Sequence, residues 1–428
     1  MDISYVMIIG ILLGCLAGTV PVFMALFFTG TFGLVYLIGI DPQIVIEVLY
    51  RSMDKFALVV VMFFVLCGNV MTTGSIVEKL IKTANVLVGF LPGGLAMAGV
   101  LACGFFGAIS GSTVATVVAI GGFMIPALME NGYDEKFSVG IMTTAPILGV
   151  IIPPSIAMIL YAMVSNDPLE ALFLTGFIPG IMIMLAMSVY AYCVCKKKGL
   201  KTTKRPSLKE ALEVVRESIW ALFLPVLIFG GIYSGMFTAN EAAVVACFYA
   251  FFVEICLHRD MKLVDVKKVI VSSAVTSATL LVIVAGASVF GEYLTFEQIP
   301  NKIATAVVSS ISSPWVFLLA VNVLLLMIGM FMDIISATLI LTPIFLPLLS
   351  KFGIDTMHFG LLMTINLGIG YCTPPLGVSL YISGATVNRD LVYVSKAVMP
   401  FLLIQIGILM ILTFWPDLVL ILPRWVYG

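Results

Sequence analysis

Two short stretches set polar atoms inside long apolar runs. "GAISGST" (107–113) supplies Ser110, Ser112 and Thr113, and "MDIISAT" (332–338) supplies Asp333, Ser336 and Thr338. Two more, "GVIIPPS" (149–155) and "GIGYCTPPLG" (368–377), place glycines and a Pro-Pro pair where a membrane helix should continue. Proline lacks an N–H and clashes with the preceding turn, so each pair should break its helix and free carbonyls. Hydroxyls, a carboxylate, free carbonyls and helix C-termini suit a small hard cation such as Na⁺, whereas helix N-termini suit a carboxylate. One donor set joins Ser110, Ser112 and Thr113 to backbone near Gly149 to Pro153. The other joins Asp333, Ser336 and Thr338 to backbone near Gly370 to Pro374. Which of Gly370, Tyr371, Cys372 and Thr373 faces an ion is open. Asp333 could instead cap a helix inside its hairpin, and the hydroxyls could bond back to their own helices. Asp333 is the one acidic residue that the pattern puts deep in the membrane, and such residues are functional candidates by default.

Composition says what must position these residues. The chain has 428 residues, of which 61% are hydrophobic and 11% charged; a soluble domain is about 25% charged. Apolar runs of about 20 residues, with no alternating ten-residue pattern, give an all-α polytopic membrane protein rather than a barrel. The acidic start "MDISYVMIIGILLGC" has no small-residue cleavage site, so a membrane segment and not a signal peptide is expected there. The net charge of −1 points to no nucleic-acid partner. Eight scattered cysteines read as small buried hydrophobes. His258 and His358 cannot form a paired axial set, and there is no phosphate loop, so no cofactor is expected.

Spans are predicted near 56–74, 142–165, 171–195, 219–236, 239–257, 269–290, 357–387 and 391–421. Pro21 divides the stretch 3–40 into one kinked span or two. Segments 75–90, 208–220 and 296–311 are amphipathic and should lie along the interface; in the first, Ile76, Leu80, Ala84 and Leu87 form the apolar side. "KKKGLKTTKRPSLKE" (196–210) has six Lys or Arg among its first ten residues and should stay cytoplasmic. The stretches 93–129 and 313–350 turn near their middles. Pro126 and Gly121-Gly122 shorten the second arm of the former, so both read as re-entrant hairpins buried in protein.

The sequence also repeats. Gly107 matches Gly329, Ala115-Thr116 matches Ala337-Thr338, Pro153-Pro154 matches Pro374-Pro375 and Tyr161 matches Tyr381, at offsets between 220 and 222. Counting crossings between the Pro-Pro pairs makes the repeats inverted, provided each hairpin enters and leaves on one side. Broken helices at corresponding places in inverted repeats point to a transporter site near the midplane. The layout predicted is scaffold helices 1–74, repeat one 75–195, basic linker 196–210, scaffold 211–295 and repeat two 296–428.

At these residues the chain resembles a known family. "GAISGSTVATVVAIGGFMIP", "IPPSIAMILYA", "GMFTANEAAVVA" and "MDIISATLILTPIFLP…TPPLG" are similar to the large membrane subunit of tripartite ATP-independent periplasmic (TRAP) transporters, of the ion-transporter superfamily of elevator-type carriers. The resemblance implies Na⁺-coupled uptake of an organic acid in the bacterial inner membrane. It implies a periplasmic substrate-binding protein and a small four-helix membrane subunit, separate here because the chain begins at the large-subunit pattern. It implies Na⁺ at Ser110, Ser112, Gly149 and Pro153, with Thr113 alongside, and at Asp333, Thr338, Gly370 and Thr373, with Ser336 alongside. Substrate is then expected between the tips, at Ser112, Thr113, Pro154, Ser155 and Pro375. Overall likeness leans towards sialic acid over a C4-dicarboxylate. A stand-alone carrier of the same superfamily is the alternative. A subunit of a redox or proton-pumping complex is more remote, since it would need buried His, Lys or Glu relays. None of these readings makes the chain an enzyme.

Overall fold

A computed structural model describes residues 3–18, 20–199, 206–375 and 377–428, and every element among them is helical. Residues 200–205 of the basic loop and Leu376 of the second break lie outside the described residues. Seven helices are long and apolar enough to cross a membrane, and an eighth span arises if Pro42–Met53 and Ala57–Thr73, bent by 54°, count as one.

Both hairpins form. The first runs Gly94–Ser110, turns at Gly111 and returns through Thr113–Thr116 and Gly122–Glu130, joined by the π-helical turn Val117–Gly121. Pro126 therefore sits inside a helix and does not end the arm early. The second runs Pro314–Gly329 and returns as Ile334–Phe352, one helix that carries both Pro343 and Pro347. Both spans break where the prolines stand. The first comprises Glu135–Thr144, the turn Ala145–Ile147, Leu148–Ile151 and, after the break, Ile156–Ser165; the second comprises Thr356–Gly370 and Val378–Val387. Each break holds a cis Pro-Pro bond, at 153–154 and 374–375.

The two broken spans run in opposite directions. At one face the Thr356 hydroxyl donates to Asp167 at 2.7 Å and the Tyr161 hydroxyl donates to the Thr356 carbonyl at 2.8 Å. At the other, Arg389 holds Glu135 through two bonds of 2.7 and 2.9 Å. The start of each span thus meets the end of the other. Lys198 lies 3.6 Å from Asp134, which places the basic loop at the Glu135 face.

Polar contacts lock the second hairpin to its span. Asn366 donates to Asn322, and Asn322 donates to the Thr413 hydroxyl, both at 2.8 Å and buried. Gln405 on the same C-terminal span, Leu391–Phe414, donates to the Thr144 carbonyl of the first broken span at 3.0 Å. These buried bonds tie the hairpin, the broken spans and the C-terminal span together, while the Asn366 Oδ1 and Gln405 Oε1 atoms stay without a partner among the described residues.

The structure corrects several boundaries. Segment 208–220 is no separate interfacial helix: Leu208–Tyr233 is continuous, opened by a Ser207–Glu210 capping box, so its polar end is the projecting first turns of a span that starts inside the predicted linker. The 391–421 span divides at Trp415, because Pro416 opens a new helix, Pro416–Tyr427. The N-terminal stretch is two helices, Ile3–Ala17 and Val22–Ile38. Pro42–Met53, capped by Asp41, has no counterpart in the predicted spans. In the arm Ile76–Val88 the buried side is Ile76, Leu80, Ile81, Thr83 and Ala84, while Leu87 is exposed. The fully buried Glu254 turns that helix: its carboxylate accepts from the Ser75 and Ile76 amides at 3.1 and 2.9 Å and satisfies the helix N-terminus.

Candidate functional site

The first tip is built by one left-handed residue. Gly111 has φ +60°, and a methyl group there would also stand 2.6 Å from the Pro154 carbonyl. The turn lets the Gly111 carbonyl accept from the Ile156 amide at 3.3 Å, which pins the tip to the helix after the break. Ser112 caps the returning arm by accepting from the Ala115 amide. Asp333 does the same for Ile334–Phe352, accepting from the Ser336 amide at 2.9 Å. The capping alternative for Asp333 is therefore realised, and it uses one carboxylate oxygen, Oδ1.

The hydroxyls divide into two classes. Thr338 donates to the Ile334 carbonyl and Thr373 to the Ile369 carbonyl, both at 2.7 Å, four residues back. Thr116 donates to the Ser112 carbonyl at 2.8 Å and lies 3.5 Å from Ser110. Thr113 and Ser336, in contrast, are buried without a hydrogen-bond partner among the described residues. Both lie in the first turn of their arms, where no helical carbonyl stands four residues earlier. An orphaned buried hydroxyl costs about 1–3 kcal/mol, so these two oxygens ask for a ligand.

A cavity of about 240 Å³ separates the tips. Gly111, Ser112 and Thr113 line it from the first hairpin, Asp333 and Ile334 from the second, and Tyr371 from the second break. Three helices begin on this cavity: the two returning arms, and Ile156–Ser165, whose Ile156 and Ala157 face it. Three N-termini give a positive potential suited to an anion. The opposite ends of the adjoining helices supply carbonyls. Gly149 closes in behind the first tip, where a methyl group would stand 2.8 Å from the Ser112 carbonyl oxygen; Gly370 lies behind the second tip, against Gly329.

Not every expected residue reaches the cavity. Ser112, Thr113 and Asp333 share it, and Ser110, Gly149 and Gly370 lie behind the tips. Pro153 and Pro154 form the break, with the Pro154 carbonyl under Gly111. Ser155 is buried and caps Ile156–Ser165 by accepting from the Met158 amide. Pro375 lines a separate depression with Leu391 and Lys396. Cys372 donates to the Thr143 carbonyl at 3.4 Å and so ties the second break to the first broken span. Sequence reasoning missed Leu280 of Leu263–Phe296, which walls the cavity from the scaffold. Nothing marks one leucine in an apolar run.

The model of the TRAP transporter DctM component matches residues 9–418. The chain belongs to this family of large permease components. Within it, the chain is 42% identical over 377 residues to the C4-dicarboxylate large permease DctM of Pseudomonas aeruginosa, covering 88% of each. It is 39% identical over 373 residues to the isethionate permease DctMQ of Oleidesulfovibrio alaskensis, where it spans 87% of this chain and 59% of that one. It is 32% identical over 378 residues to the sialic acid permease SiaT of Haemophilus influenzae, where it spans 88% of this chain and 61% of that one. The YdaH transporter of Alcanivorax borkumensis, 15% identical, shares the fold with a TM-score of 0.63 over 88% of each chain. The large permease is thus a multi-pass membrane transport protein and not an enzyme.

Proposed function

We propose that this permease imports a small organic carboxylate, coupled to Na⁺, across the bacterial inner membrane with loop 196–210 cytoplasmic. The observation that carries the reading is the cavity between the tips, where three helix N-termini meet Ser112, Thr113 and Asp333. The N-termini favour a carboxylate, but Asp333 repels one. At 4 Å and an effective dielectric of about 20 that repulsion is about 4 kcal/mol. A Na⁺ beside each tip offsets it, held by the free Asp333 oxygen, the orphaned hydroxyls of Thr113 and Ser336, and carbonyls near Gly149 and Gly370. Binding of anion and cation then favour one another, which is the thermodynamic content of symport. The hairpins and broken spans carry this site past the scaffold helix Leu263–Phe296 in an elevator movement.

A periplasmic binding protein delivers the substrate, and a small four-helix subunit completes the transporter. The related permeases named above act on C4-dicarboxylates, isethionate and sialic acid, all small organic anions. Succinate is the first substrate to test, because identity to the dicarboxylate permease is 42% against 32% to the sialic acid one. The test is uptake of labelled succinate, N-acetylneuraminate and isethionate into vesicles holding the permease, its small subunit and its binding protein. An inward Na⁺ gradient should drive uptake of one of them. Equal uptake under K⁺ overturns the coupling, and transport by the permease alone overturns the need for partners.

A further inference from the structure

A second cavity, of about 570 Å³, stands along the same three helices as the first. In Leu263–Phe296, Leu280 lines the deep cavity, whereas Ser288 and Thr295 line the outer one. In Ile334–Phe352, Ile335 belongs to the deep cavity and Pro343 to the outer. In Ile156–Ser165, Ala157 belongs to the deep cavity and Met163 to the outer. The nearest lining residues on each helix, Ile335 and Leu339, Ala157 and Met163, Leu280 and Ala287, are four to seven residues apart, about 6–11 Å. The cavities therefore lie at two levels along the same three helices, between Leu263–Phe296 and the second hairpin. Asn166 lines the outer level next to Asp167, whose bond to Thr356 marks the face opposite the basic loop.

The two levels differ in charge. Val48, Arg51, Ser52 and Lys55 line the outer level from one side of Pro42–Met53 and the bend after it. Val48, Arg51 and Ser52 follow the helical 3–4 spacing that puts side chains on one face, and Lys55 joins them from the bend after Asp54. Arg51 and Lys55 are exposed cations, and the outer level contains one carboxylate, Glu292. Arg51 also has Glu47 at 3.8 Å, with both side chains more than half exposed, at 78% and 65%. Such an exposed pair is weak and leaves most of the guanidinium fork free.

We propose that Arg51 and Lys55 form an outer anion site, which holds the carboxylate of an incoming substrate before it passes to the tips. The proposal rests on the carboxylate reading of the permease. Arginine engages a carboxylate through two parallel bonds, and lysine adds a second charge without fixed geometry. Glu292 in the same cavity weakens the hold, so the anion is released inward. The three N-termini at the deep level then receive it along the shared face of Leu263–Phe296.

The test uses the intact permease with Ser288→Cys, in a background where Cys15, Cys193 and Cys256 are serine. Two thiosulfonate reagents of similar size are compared at Cys-modified position 288: anionic sulfonatoethyl and cationic trimethylammonioethyl. The anionic-to-cationic rate ratio should fall roughly tenfold when R51Q/K55Q is added. About 1 M salt should erase the difference, since it screens charge beyond about 3 Å. A ratio unchanged within twofold in a variant whose Tm matches its parent overturns the site. In the uptake assay R51Q/K55Q should raise KM for succinate or N-acetylneuraminate with kcat held within twofold, and an unchanged KM also overturns it. If the parent takes up no carboxylate at all, the carboxylate reading fails, while the reagent ratio still decides whether the outer level concentrates anions.

Discussion

Gly107 and Gly149 meet backbone to backbone: a methyl group on Gly107 would lie 2.7 Å from the Gly149 Cα. In the second half Gly370 presses on Gly329 in the same way, at 2.6 Å from its Cα. Each pair brings a hairpin arm against its broken span just before the break. Glycine is required because any Cβ would push the carbonyl-bearing ends away from the tip.

Gly149→Ala and Gly370→Ala should therefore each lower stability by about 1–3 kcal/mol, the usual cost of overpacking. Thermal unfolding in detergent measures this, and uptake should fall with it. Gly407→Ala, where a methyl group meets nothing within 4 Å, is the matched control and should keep both.

Asp333 has two jobs that one substitution can separate. Asparagine caps a helix as well as aspartate does. Asp333→Asn should keep its stability within about 0.5 kcal/mol of the parent while losing Na⁺-dependent uptake. Asp333→Ala should lose uptake and also about 1 kcal/mol of cap energy. A wild-type Na⁺ titration in Asp333→Asn would show that the carboxylate serves only as the cap.

Thr113→Val and Ser336→Ala remove the two orphaned hydroxyls. Removing an unsatisfied buried group should leave stability unchanged or raise it by up to about 1 kcal/mol. If these oxygens are Na⁺ ligands, the Na⁺ concentration for half-maximal uptake rises at least tenfold, about 1.4 kcal/mol. Thr338→Val, whose hydroxyl bonds to its own helix, should raise it less.

The opposed directions of the broken spans predict a cross-linking pattern. Cysteine pairs at Glu135 with Arg389, and at Asp167 with Thr356, should both couple and leave uptake intact, because in the proposed elevator movement each pair lies within one moving body. A pair at Leu280 and Ile335 bridges the deep cavity from scaffold to hairpin and should block uptake when oxidised. Uptake that survives this cross-link would count against the elevator movement.

The sequence by itself determined the features with local causes. The Pro-Pro pairs break both spans because two consecutive residues offer no amide, whereas the single prolines Pro126, Pro343 and Pro347 stay inside their helices. The near-constant offset leads to the expectation of a hairpin and a broken span in each half, and both parts of the chain carry one. Ser112 and Asp333 could be placed at equivalent tips because capping residues act within three positions of themselves. For the hydroxyls the sequence leaves back-bonding open at every position; the structure shows it at Thr338, while Thr113 and Ser336 stay without a partner among the described residues.

Only the tertiary structure decided which of these groups meet. It put Ser112, Thr113 and Asp333 on one cavity and turned Pro375 into a different depression. It joined Leu208–Tyr233 into one helix, and it set Leu280 on the deep cavity and Arg51 and Lys55 on the outer one. The meeting of Ser112 and Thr113 with Asp333 and Leu280, and of Arg51 with Ser288, depends on contacts between residues a hundred or more positions apart. An apolar run looks the same whether its leucine faces lipid, a neighbour or a passage, so the choice is made by packing and not by the residues that precede or follow.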